Sequence, residues 1–430
     1  MAWIGDTADA RPASFAGLAL ACALFVCYPF HAVVREGSLV INLSFGDPVV
    51  ALIGVLWLLG AVGSHTLPRY AAVAGGLVVA AVGSLIAVSF ADPAYFTAAG
   101  GALALAKLLG AIAWLIAVYA LYSEFGIRVL RAALVVSVAV ATLVSVWSLL
   151  RTFFLIDGFD RASGPFENPN LFGNYLVLHA FVSLSFLRTW WDERPRREVV
   201  ALAIVLLSIA LVSTGSRGSI LGLLGGLAAV AACAVGTRRS VTLTRRSVGA
   251  AVGAAFTAVA VPAIFAPSVV GRFVGSRNVD IRLRLWEASL EALLSNPILG
   301  IGYGQIHTYL AATIGEYRGT HNVYLLVGGE TGFVGLLILF GLIALVARDA
   351  IRLGRREGAS LFLLGAFVAM LVQGFVTDVD TFRSFWILLG ILAAERSHAL
   401  GGGAIEPGVD WRGEGRVREA ARPTRRGGDR

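Results

Sequence analysis

The chain has 430 residues, of which 57% are hydrophobic and 14% charged, and its mean hydropathy is +0.78. Soluble domains hold roughly 45–50% apolar and about 25% charged residues, so there is too little polar material here to clothe two or three water-facing globules. The formal net charge of +8 is carried by arginines scattered along short connections. That distribution excludes a nucleic-acid surface and reads instead as a record of membrane topology.

In chain order, apolar runs lie at 14–32, 46–63, 70–90, 97–122, 130–150, 170–188, 198–214, 218–236, 247–266, 322–347, 358–376 and 384–395. A helix needs about 20 mainly apolar residues to cross the hydrocarbon, so these runs predict an all-α polytopic membrane protein with about twelve transmembrane helices. One membrane domain is expected over 1–399 and a basic, disordered cytoplasmic tail over 400–430, where glycine and arginine dominate. The first run has neither a basic leader nor a small-residue cleavage signal and is retained as a spanning helix. Cys22, Cys27 and Cys233 lie inside apolar runs without metal-ligand spacing or a disulfide framework. Gly222, Gly225 and Gly226 suit close helix packing.

Arginine clusters at 194–197, 238–246, 348–356 and after 396 place both termini in the cytoplasm. The connection 267–321, between the ninth and tenth predicted helices, is then a large external loop. It nevertheless carries Arg272, Arg277, Arg282, Arg284 and Arg318, which topology does not explain.

These external residues are the candidates for chemistry. Arg282, Arg284, Trp286, Leu290 and Leu293 predict a helix of mixed character that lies at the membrane mouth and aims guanidinium groups at a ligand. Arg282 and Arg284 are two positions apart and fall on different faces, with Arg282 the stronger ligand candidate. Gly300 to Gly304, GIGYG, lacks the strand setting of a dinucleotide loop and reads as a compact turn that lets backbone approach a neighbouring helix. His321 opens HNVYLL at a membrane entry, where a neutral imidazole can take a proton from an attacking hydroxyl, with Asn322 orienting a polar group. His307 is a weaker candidate. Arg217, between two closely spaced helices, suits diphosphate oxygens. Glu167, Asn168 and Asn170 divide between helix capping and substrate positioning. Glu330, in a glycine-rich break, either orients His321 or stabilises the discontinuity. Asp378, Asp380 and Arg383 read as a structural salt bridge, and nothing in the sequence has the density of ligands that a metal requires.

The residues Phe166–Glu167–Asn168–Pro169–Asn170, Ser216–Arg217–Gly218, Arg282 with Trp286, Asn296–Pro297, Gly300 with Gly302, and His321–Asn322–Val323–Tyr324–Leu325 resemble the bacterial O-antigen ligase/polymerase superfamily. The resemblance implies an inner-membrane glycosyltransferase of the bacterial cell envelope that inverts the anomeric carbon, with no cofactor and no metal. Its implied donor is an undecaprenyl-diphosphate-linked glycan drawn from among the membrane lipids, and its implied acceptor is lipid A-core for a ligase or another glycan for a polymerase. It further implies that Arg217 and Arg282 engage the diphosphate and that His321 is the base, at a site facing the periplasm or exterior. Arg284, Asn322, Glu167, Asn168, Asn170 and Glu330 are expected to bind substrate around them. A ligase is favoured narrowly, on the length of the external connection. A lipid-linked glycan flippase or secondary transporter is the alternative from another class, and it is weakened by the scarcity of ionisable residues at mid-membrane depth.

Overall fold

The computed structural model describes residues 15–36, 39–63, 67–91, 93–155, 161–166, 168–236, 279–377 and 382–400. Among them are twelve α-helices and one antiparallel hairpin. In order these are α1 (Phe15–Cys27), β1 (His31–Glu36), β2 (Leu39–Ser44), α2 (Asp47–Leu58), α3 (Arg69–Ala91), α4 (Ala98–Leu150), α5 (Pro169–Thr189), α6 (Arg194–Ser213), α7 (Arg217–Gly236), α8 (Val279–Ser295), α9 (Ile306–Ile314), α10 (Val323–Arg356), α11 (Leu361–Gly374) and α12 (Arg383–Leu400).

The expectation of about twelve transmembrane helices is corrected. Among the described residues only five helices are long and apolar enough to cross a membrane: α3, α4 with its π-helical extension, α5, α7 and α10. The protein is a multi-pass membrane protein, but apolar runs overcounted its passages for identifiable reasons. The hairpin lies between the first two runs, and the described helices on either side of it are short, 13 residues in α1 and 12 in α2. At 1.5 Å per residue such helices cover about 20 Å, short of the roughly 30 Å hydrocarbon core. The same holds for α11, with 14 residues. Helix α6 opens on Arg194, Arg196, Arg197 and Glu198, and α12 carries Arg383, Glu395 and Arg396. Two further runs, 97–122 and 130–150, are the helical stretches of α4 on either side of Gly126, where the backbone leaves helical geometry with φ 80° and ψ 172°, a conformation open to glycine and costly for other residues; together they make one of the five. The run 247–266, taken as the ninth helix, and the tail 401–430 lie outside the described residues, so only the part of the 267–321 connection from Val279 onward is described. It is folded, as α8, a glycine-rich turn and α9.

One end of the bundle is braced by buried charge. Arg131 grips Glu395 with both Nε and Nη2, at 2.9 and 2.6 Å, and Asp349 accepts from the Tyr70 hydroxyl and pairs with Arg396 Nε, each at 3.0 Å. Helices α7 and α11 approach closely through small residues. A Cβ on Gly226 would meet the Gly365 carbonyl oxygen at 2.3 Å and one on Gly222 the Ala369 oxygen at 2.8 Å, as the Gly222, Gly225 and Gly226 pattern suggested.

Helix α10 is broken at Gly332, where φ is 66° and ψ −163°. The freed backbone is taken up by the segment before α9: Phe333 N–H donates to the Pro297 carbonyl at 2.7 Å and Ile301 N–H to that of Gly329 at 2.8 Å. The Gly300–Gly304 segment is thus a turn that lets backbone meet backbone, as its sequence suggested. A Cβ at Gly332 would sit 2.3 Å from the Ile298 carbonyl oxygen. Gly332→Ala is accordingly expected to destabilise the fold by about 3 kcal/mol, from clash and strained backbone together; thermal unfolding in detergent measures it.

Candidate functional site

The segments at the other end of the bundle gather around the start of α10. There Asn322 is the N-cap: its Oδ1 accepts from the backbone N–H of Tyr324 at 3.0 Å and of Leu325 at 3.2 Å. This satisfies helix donors that would otherwise be orphaned. His321, immediately before it, has φ 53° and is, among the described residues, the one non-glycine residue with positive φ. Such backbone in an L residue is strained and is held only when its surroundings dictate it. They do so here. Thr320 is fully buried, its hydroxyl donating to the Asn322 carbonyl at 2.8 Å and accepting from Asn322 N–H at 3.1 Å, and its own carbonyl accepts from the Trp286 indole N–H at 3.1 Å.

Trp286 lies one turn after Arg282 on α8, so the helix that carries Arg282 is fastened next to His321. A small apolar core of Leu285, Ala288, Ala292, Ile306, Leu310 and Leu326 seats α8 and α9 against α10. Arg284 points elsewhere: its Nη2 lies 3.9 Å from Glu316, which also pairs with Arg318 at 3.3 Å. Of the two arginines, Arg282 therefore shares a helix face with the Trp286 anchor, while Arg284 is exposed and turned toward a loop carboxylate.

Arg217 is exposed at the first residue of α7, and the start of that helix packs against the segment that follows α11. A Cβ on the adjoining Gly218 would meet Val376, just beyond α11, at 2.5 Å. Tyr324 packs on Phe375 with ring centroids 4.6 Å apart and donates its hydroxyl to the Leu371 carbonyl at 2.9 Å. The C-terminal end of α11 thus has the start of α7 on one side and the start of α10 on the other. Beneath them an apolar cavity of about 40 Å³ is lined by Tyr324, Val327, Leu371, Phe385 and Trp386 among others.

Asn168 caps α5, its Oδ1 accepting from Asn170 N–H at 2.9 Å. Asn170 in turn accepts from Arg161 Nη2 at 3.2 Å, and Arg161 Nε donates to the Thr214 carbonyl at 2.6 Å. Both asparagines therefore hold the start of α5 to the turn that precedes Arg217. Glu167 lies outside the described residues, as do Asp378 and Asp380. Glu330 is buried at 3% exposure, and its Oε1 accepts from Ile306 N–H at 3.1 Å, the first residue of α9. A carboxylate there complements the helix N-terminus and latches α9 to the break in α10. His307 is exposed, with its ring 5.9 Å from that of Tyr317. Among the described residues no group of three His, Cys, Asp or Glu side chains is placed to hold a metal.

A second polar cluster went unforeseen. Arg383 pairs bidentately with Asp47, at 2.9 and 2.6 Å, and Trp114 Nε1 donates to the same carboxylate at 2.9 Å. His31 donates from Nδ1 to the Pro29 carbonyl at 2.8 Å and turns Nε2 toward Arg383 at 3.5 Å, its ring packed 4.7 Å from that of Phe166. Burial, and then the positive charge of Arg383, push the His31 pKa down from 6.5 to about 4. Unfolding therefore lets this imidazole take up a proton that it refuses when folded. The stability it contributes is complete above pH 6.5 and is lost as pH falls toward about 4, by up to about tenfold in the folded-to-unfolded ratio per pH unit. His31→Gln is expected to flatten the pH dependence of the thermal midpoint across that window, and melting in detergent at pH 7 and pH 5 checks it.

The family model described as O-antigen ligase matches residues 202–340, a stretch that contains Arg217, Arg282, Trp286, His321 and Glu330. The chain is also 25% identical over 290 residues to the exopolysaccharide production protein ExoQ of Rhizobium meliloti (strain 1021), a match that covers 61% of this chain and 63% of that protein. The chain thus spans less than two thirds of the curated relative's length.

Proposed function

We propose, from the premise that this chain belongs to the O-antigen ligase superfamily of bacterial membrane proteins, that it transfers a glycan from undecaprenyl diphosphate to an acceptor hydroxyl, with His321 as base. The observation that carries this reading is the strained, braced backbone at His321, beside the helix of Arg282 and across the end of α11 from the start of α7.

The chemistry follows from charge. The acceptor oxygen attacks the anomeric carbon as His321 takes its proton, the bond from that carbon to the diphosphate oxygen breaks, and the electron pair leaves with undecaprenyl diphosphate. Arg217 and Arg282 meet the charge that develops there, and direct displacement inverts the carbon. Asn168, Asn170 and Asn322 serve by fixing the helix starts around the mouth, and Glu330 by fixing α9. In the bilayer, the end bearing Arg69, Arg131, Arg348, Arg352, Arg355, Arg356 and Arg396 faces the cytoplasm with both termini, and the His321 end faces the exterior.

The acceptor has two readings. Lipid A-core makes the protein a ligase, while another glycan makes it a polymerase. Similarity to a protein named for exopolysaccharide production favours the second. Purified protein given one undecaprenyl-diphosphate glycan together with competing lipid A-core and free-glycan acceptors decides between them by product mass. Absence of any glycosylated product under those conditions would count against transferase activity altogether.

A further inference from the structure

We infer that Trp286 is the positioning residue for His321, acting through a single hydrogen bond from its indole N–H to the Thr320 carbonyl. This inference rests on the reading of His321 as base. The bond, 3.1 Å long, is made by a side chain on α8 to the peptide that immediately precedes a histidine with φ 53°. Rotation of that peptide re-aims the imidazole, because Thr320 and Asn322 already lock the residues on either side through their hydroxyl and backbone contacts.

The other end of the lever is rigid. Leu285, on the residue before Trp286, is fully buried, and Ala288 and Ala292 sit in the same small core. The indole therefore transmits the placement of α8 to His321, and it does so one turn from Arg282. A histidine taken from sequence as an isolated base is thereby geared to the helix that carries a leaving-group cation. Displacements of about 1 Å at a reacting group can cost about a hundredfold in rate, so an interaction remote from the reacting atoms can set kcat without touching substrate.

The test replaces Trp286 by 3-benzothienylalanine, which keeps the size and shape of the ring and removes only the N–H. Transfer kinetics are followed with an undecaprenyl-diphosphate glycan and a glycan acceptor in vesicles, in the wild-type and His321→Ala backgrounds, alongside Trp286→Phe. The expected result is a fall in kcat of about tenfold or more with donor KM within about twofold of wild type, and no further fall when the same replacement is made in His321→Ala. An unchanged kcat in the isosteric protein overturns the inference and leaves the base reading standing. So does an equal fold-loss in both backgrounds, because Trp286 would then act independently of His321. Wild-type transfer by His321→Ala refutes the base reading, and the inference falls with it.

Discussion

His321→Ala is expected to lower glycan transfer by about 10²–10⁴-fold while leaving the protein inserted and folded, since a positioned general base contributes about that much. The structure separates the two roles that a histidine at a helix start can play. Capping of α10 is done by Asn322, and the turn is braced by Thr320 and Trp286, so loss of the imidazole leaves those bonds in place. Its replacement by glycine sharpens the comparison. Glycine occupies the positive-φ backbone without strain, so His321→Gly is expected to melt at or above the temperature of His321→Ala and to be equally inactive. Activity that followed stability between these two variants would make the residue structural.

Arg282→Ala and Arg217→Ala are the next largest expected effects, each lowering kcat/KM for the lipid-linked donor by about 10²–10³-fold, the usual cost of removing a group that stabilises developing negative charge. Acceptor dependence should change far less, because both guanidinium groups are assigned to the leaving diphosphate. Lysine at either position restores charge without the two-pronged geometry and is expected to recover only part of the loss. Arg284→Ala is the internal control. Its partner Glu316 lies 3.9 Å away at an exposed site, where such pairs contribute about 0–1 kcal/mol, so its effect should stay within about threefold. If donor dependence were unchanged in both Arg217→Ala and Arg282→Ala, the assignment of these arginines to diphosphate would be wrong.

What the sequence made legible was local. The helix start at Asn168, the close-packing glycines of α7, the turn at Gly300–Gly304 and the mixed-face helix carrying Arg282 and Trp286 all depend on residues a few positions apart, and the structure shows each of them, whereas Asn322, read as orienting a polar group, proves to cap α10. The number of membrane passages was not legible, because hydropathy counts apolar runs without knowing where they bend or stop. It missed the hairpin between α1 and α2, although the gap it left between runs 97–122 and 130–150 does hold Gly126, where the backbone of α4 leaves helical geometry. Long-range partners were hidden as well. Arg383 was read with Asp378 and Asp380 but pairs with Asp47, 336 residues away in the chain, and only the folded bundle brings α2 and α12 together. The Trp286 bond to Thr320 is of the same kind, since aromatic residues at helical spacing give no sign of which carbonyl an indole will meet.

The most direct test of the account measures covalent transfer and leaving-group release together. Reconstituted protein is supplied with a single radiolabelled undecaprenyl-diphosphate glycan and its acceptor, and the glycosylated product and free undecaprenyl diphosphate are quantified in the wild type and in His321→Ala. Equal molar amounts of the two products are expected from the wild type, with loss of both, by about 10² or more, in the variant. Movement of the donor across the vesicle bilayer with neither product formed would contradict the account.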